Sequence, residues 1–72
     1  MVDGSRIRTL REQAGVTQTQ LGGIVGAEQS MIGYIEREVK RPSVELLARI
    51  ADFFDVPMDD LRKKVATSAN EQ

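Results

Sequence analysis

The chain contains no cysteine and no histidine, and its aromatics amount to two phenylalanines and one tyrosine. Without cysteine there is neither a disulfide staple nor a thiolate metal site. Without histidine the usual general base, the usual imidazole ligand and every Ser-His or Cys-His arrangement are gone. With so few aromatics, a core has to rest on Ile, Leu, Val and Phe. No run of about 18 apolar residues is present, so no membrane span is expected. The start, "MVDGSRIRTLREQ", lacks the apolar segment of a signal peptide. These absences lead to the expectation of a soluble, cytoplasmic, non-enzymatic protein with no cofactor, no metal and no evident small-molecule ligand.

At 72 residues the chain is one domain. A domain this small buries only about 60% of its unfolded surface. Lacking staples, it has a motive to pair with a copy of itself. The net charge is −1 and the pI about 5.3. Nucleic-acid-binding domains are more often basic, but the placement of the positive charges decides. The acids of "DVPMDD" (Asp55, Asp59, Asp60) could serve acid–base chemistry or hold a divalent cation. A solvated helix start complementing the dipole accounts for them more simply.

Apolar residues recur at helical spacing throughout, with no strand alternation and no internal repeat. Ile7, Leu10 and Ala14, followed by Gly15 as a stop, define a helix over about Ser5–Ala14. Thr17-x-x-Gln20 is a capping-box pattern opening a second helix, Gln18–Val25, with Leu21, Ile24 and Val25 as its stripe and Gly26 ending it. A third helix runs from about Glu28 to Arg37 on Ile32 and Ile35. After the loop "EVKRP", Ser43 caps a fourth helix whose expected stripe is Val44, Leu47, Ile50, Ala51 and Phe54. A fifth is expected to start near Pro57 or Met58, anchored by Leu61 and Val65. The fold class is therefore all-α, five helices around one core in a domain spanning 1–66, with a frayed polar tail at 67–72.

Two short helices joined by a Gly-containing turn describe a helix-turn-helix. Gly26 permits the turn, and Gly22, beside Leu21, lets the two helices cross closely. Spacing gives Gly23 and Gly33 no packing role. With Ile32 and Ile35 inward, Gln29, Ser30, Gly33, Tyr34 and Arg37 share the outward face of the third helix. An α-helix fits the major groove, and Gln can bond adenine bidentately. Tyr and Ser can bond phosphates. Gly33 would let the backbone approach DNA closely. The same polar residues could also be a plain solvated face, with Lys40 and Arg41 as ordinary loop charges.

The stretches "LREQAGVTQTQL", "IGYIER" and "RPSVELLARIADFFDV", in this order and spacing, resemble the lambda-repressor-like, Xre-type helix-turn-helix family over Arg6–Leu61. The resemblance implies a five-helix domain that binds double-stranded operator DNA as a homodimer and regulates transcription, as repressor or autoregulator. It implies base contacts by Gln29, Ser30 and Tyr34, and DNA-backbone contacts by Gln18, Arg37, Lys40 and Arg41. It also implies a structural ion pair between Arg11 and Glu36. Three residues depart from the family pattern: Glu28 at the recognition-helix cap, Glu38 where Gly commonly ends that helix, and Gly23. Both acids would place negative charge near the DNA. Arg6 and Arg8 are expected to flank the same surface, with Asp52, Asp55, Asp59 and Asp60 away from it. The fifth helix and the linker before it are the expected dimer surface. Phe53 reads either as an edge of the core or as an interface anchor. An antitoxin-like or adaptor module that holds a protein partner is the alternative use of this fold.

Overall fold

The structure, a computed structural model, describes residues 1–63. Four α-helices follow one another: α1 Gly4–Gln13, α2 Gln18–Val25, α3 Gln29–Glu36 and α4 Val44–Phe54, closed by a 3₁₀ turn at Met58–Leu61. The expected fifth helix is thus a single 3₁₀ turn. Its backbone leaves the helical path because it pairs with the start of the chain. Asp3 N–H donates to the Leu61 carbonyl at 2.7 Å and Lys63 N–H to that of Met1 at 2.9 Å, around an antiparallel bridge between Val2 and Arg62. Amides committed to that pairing cannot extend a helix. The expected anchor Val65, the domain end at 66 and the tail 67–72 lie outside the described residues.

Helix starts follow their caps. Asp3 accepts from the Arg6 amide, which sets the start of α1 one residue earlier than expected. Ala14 is the C-cap of α1 rather than its last residue. At α2 the capping box forms in full, with Thr17 and Gln20 each bonding the other's backbone. Glu28 and Arg37 flank α3 as caps, so that helix is shorter by a residue at each end. Ser43 caps α4 by accepting from the Leu46 amide.

The core is aliphatic: Ile7, Leu21, Ile32, Ile35, Ile50 and Leu61 are all fully buried, joined by Val2, Val25, Leu47 and Ala51. Burying an aliphatic side chain of this size stabilises by about 1.5–3 kcal/mol. Two expected core residues are outside it. Val44 is 72% exposed and Ile24 52% exposed. Val44 is the first residue of α4, where the helix has not yet reached the core. On α2 the inward face is Leu21, Gly22 and Val25, so Gly22 takes the place assigned to Ile24. A Cβ on Gly22 would overlap the Ala27 carbonyl oxygen, which is the close α2–α3 crossing expected from the glycine beside Leu21. Gly26 ends α2 at φ +79° and returns its N–H to the Gly22 carbonyl. Phe53 stacks edge-on against Phe54 at 5.0 Å between centroids and remains partly exposed at the rim of the core.

Candidate nucleic-acid interface

Burial of Ile32 and Ile35 fixes the rotation of α3. With those two inward, Gln29, Ser30 and Arg37 are exposed and Tyr34 is half-buried on the opposite face; Lys40 and Arg41 are exposed in the loop that follows. Two cations flank the Tyr34 ring, the Arg37 guanidinium at 5.4 Å and the Lys40 ammonium at 4.8 Å from its centroid. A ring that attracts both cations holds them near one another through its quadrupole. Beyond the three residue types, nothing in the amino-acid pattern pointed to this cluster.

Behind this face lies a polar chain that begins in the core. The Arg11 guanidinium grips Glu36 by two bonds, Nε to Oε2 at 2.6 Å and Nη2 to Oε1 at 3.2 Å, and also donates to the Val16 carbonyl at 2.9 Å. The Glu36 side chain is only 3% exposed. The hydrogen bond to Glu36 raises the Arg11 pKa above its usual value, against the opposing effect of burial. The expected ion pair is therefore present and ties α1 to α3.

From Glu36 the chain runs outward. Gln18 Nε2 donates to Glu36 Oε1 at 3.1 Å, and Gln18 Oε1 accepts from Gln29 Nε2 at 2.6 Å. Thus Gln18, at the first turn of α2, is bonded at one end to a buried carboxylate and at the other to Gln29 on the outward face of α3. Neither bond was foreseen. Gly33 also acquires a packing role that spacing did not assign to it. It is buried, and a Cβ there would lie 3.2 Å from Arg37 Nη1 and 3.5 Å from Gln18 Oε1. The Gln18 side chain crosses α3 where Gly33 leaves room for it. Gly23, by contrast, is exposed, a Cβ added to it would meet nothing within 4 Å, and nothing in the structure explains it.

The two departing acids behave differently. Glu28 is exposed and makes no side-chain cap bond, which leaves its carboxylate at the start of α3. Glu38 was expected to add charge on the DNA side; in the structure that charge is paired. Its backbone takes φ +62°, and its carboxylate turns back to accept from the Gly4 N–H at 2.9 Å and from the Lys63 ammonium at 2.7 Å. Gly4 itself sits so close to the end of α3 that a Cβ would overlap the Glu36 and Ile35 carbonyl oxygens. The arginines of the expected basic flank are paired as well. Arg6 pairs with Asp60 at 2.8 Å, on the side of the closing 3₁₀ turn, and Arg8 pairs with Glu12 along α1. Among the described residues, Arg37, Lys40 and Arg41 are the cations at the end of α3 and in the loop after it.

A family model described as helix-turn-helix matches residues 7–61. The chain belongs to the helix-turn-helix family, of the lambda-repressor-like Xre type. The P22 c2 repressor, solved in complex with a synthetic operator, superposes on this helix-turn-helix domain with a TM-score of 0.82 at 30% identity, over 88% of this chain and 96% of that one. SinR, a master regulator for biofilm formation solved with DNA, gives 0.71 at 28% identity, over 78% and 90%. An HTH-type transcriptional regulator of Archaeoglobus fulgidus is 35% identical over 79% of this chain and 81% of its own. YazB of Bacillus subtilis is 34% identical over 81% and 84%. Other relatives are much longer: the chain spans 18% of an HTH-type regulatory protein of Pyrococcus horikoshii, at 32% identity.

Proposed function

We propose that this helix-turn-helix domain regulates transcription as a two-fold dimer, as repressor or autoregulator, reading double-stranded operator DNA with α3 in the major groove. Gln29, Ser30 and Tyr34 contact base edges. Gln18, Arg37, Lys40 and Arg41 contact the sugar–phosphate backbone and fix the register. The two copies of α3 lie about 34 Å apart on one face of the duplex, and the copies meet through the closing 3₁₀ turn and the linker before it. The chain regulates by binding and carries out no chemistry.

The observation that carries this reading is the hydrogen bond from Gln29 to Gln18. A free solvated glutamine on a helix surface has no reason to be held. Here the side chain is oriented before any ligand arrives, which reduces the ordering cost of binding. Its holder belongs to the first turn of α2, whose free amides and positive dipole end favour a phosphate.

Selection of bound duplexes from a random DNA pool, followed by affinity against salt, tests the proposal. Three cations from each of two subunits give about six phosphate contacts and a log–log salt slope near −5. A two-fold symmetric motif with that slope is the expected result. A folded protein that enriches nothing at low salt would instead favour a module that holds a protein partner.

A further inference from the structure

Glu38 is the residue on which the end of α3, the start of α1 and the last described residue converge. Its left-handed backbone, φ +62°, is one that a glycine adopts without strain and that other residues adopt at a cost. The strain brings the carboxylate back against the Gly4 N–H and the Lys63 ammonium. The same residue lines one hollow with Val39, Lys40 and Arg41, two of which are DNA-facing cations in the reading above. An unpaired carboxylate at this point would stand within the same small surface as those cations and oppose the phosphates they attract.

We propose that Lys63, which lies off the recognition helix, sets DNA affinity by neutralising Glu38 beside the DNA-facing loop. Lys63 is a positioning residue: it acts on the DNA only through Glu38, and the inference rests on the DNA-binding reading. Its ammonium remains 46% exposed at the side chain, whereas Glu38 is 27% exposed, so the lysine is the accessible member of the pair. The interaction is strong enough to lower the Glu38 pKa and raise that of Lys63, in each case chiefly through their mutual hydrogen bond. A change that removes the lysine charge, by substitution or by acylation of the amine, leaves the carboxylate unneutralised on a surface that DNA approaches. Because Lys63 pairs its backbone with Met1, the contact also ties the chain's first residues to the loop bearing Lys40 and Arg41.

Four proteins test this: wild type, Lys63→Gln, Glu38→Gln and the double variant, each titrated with the duplex that wild type selects. Lys63→Gln should lose roughly fivefold or more in affinity at low salt, the lower end of coupling between distinct sites. That loss should shrink as salt screens the exposed charge. Glu38→Gln, whose side-chain amide oxygen can still accept from Gly4 N–H, should bind as well as wild type or better. The double variant should return to the affinity of Glu38→Gln. A purely structural role, or a direct phosphate contact by Lys63, would leave the double variant as weak as Lys63→Gln, and either result overturns the proposal. So does an undiminished Lys63→Gln. If wild type itself selects no duplex, the DNA-binding reading fails first and this inference with it.

Discussion

Gln18 and Gln29, on successive helices, share a 2.6 Å hydrogen bond, and the same Gln18 side chain donates to the buried Glu36. One side chain therefore joins the core to the surface that reads DNA in our proposal. Gln18→Ala removes both bonds. It should lower DNA affinity and also relax the base preference at the position Gln29 contacts, because Gln29 is then free to rotate. A lost phosphate contact alone would weaken binding uniformly across sequences. Binding profiles of the variant over a duplex library distinguish the two. Thermal stability should fall modestly, since the buried Glu36 loses one hydrogen-bond donor but keeps Arg11.

The Arg11–Glu36 pair predicts a different pattern. Both side chains are largely enclosed, and removing one leaves the other charged and unpaired. Glu36→Ala should destabilise by about 3–5 kcal/mol in denaturant unfolding. Replacing both, as Arg11→Met with Glu36→Leu, should recover much of that, since an apolar pair of similar volume often matches a buried ion pair. The double variant should nonetheless bind DNA poorly, because Gln18 then loses its inner partner at Glu36. Stability regained without affinity would separate the two roles of this carboxylate.

Much of this was legible in the sequence. Caps and stops are local, so Thr17, Gln20, Gly26 and Ser43 placed α2 and α4 with little error. The outward Gln29, Ser30 and Arg37 of α3 followed from the burial of Ile32 and Ile35, but Gly33, expected among them, is buried. What escaped was set by distant parts of the chain. The closing element ends as a 3₁₀ turn because Asp3 and Lys63 bind across the two ends of the domain. Arg6 is paired with Asp60, and Glu38 with Lys63 and Gly4. No periodicity encodes such pairs. Gly33 was half legible: its exposure to DNA was conceivable from the helical wheel, but the crossing Gln18 side chain was not.

The glycines of α2 form an internal control. Gly23→Ala places a methyl in open space on a helix interior and should stabilise by about 1 kcal/mol. Gly22→Ala drives the same methyl into the Ala27 carbonyl and should destabilise instead, despite the identical gain in helix propensity. Gly33→Ala meets only the movable ends of Arg37 and Gln18. It should leave stability unchanged or raised while DNA affinity falls, because Gln18 is displaced. Unchanged or improved affinity would remove Gly33 from the interface. Unfolding curves of all three, with duplex titration of the third, decide.

The Glu38 clasp gives stability a dependence on acid. The Lys63 ammonium first, and the Gly4 N–H second, hold the Glu38 carboxyl below its ordinary value of 4.5. Unfolding releases it to that value, so over this range the unfolded chain binds more protons than the folded one. Stability rises with pH wherever that holds. The contribution is therefore whole above pH 4.5 and is lost as pH falls through the depressed folded value. Lys63 is raised above 10.5, so its contribution is whole below that pH and fades as pH rises further. Between the two limits the clasp is intact, and stability from this source is flat. Glu38→Gln should remove its share of the acid slope while leaving the slope from the other carboxylates in place. Comparing midpoints of thermal unfolding for wild type and Glu38→Gln from pH 7 down to pH 3 measures this. The two curves should converge as the pH falls, whereas a constant offset at every pH would mean that the Glu38 charge adds nothing to the fold.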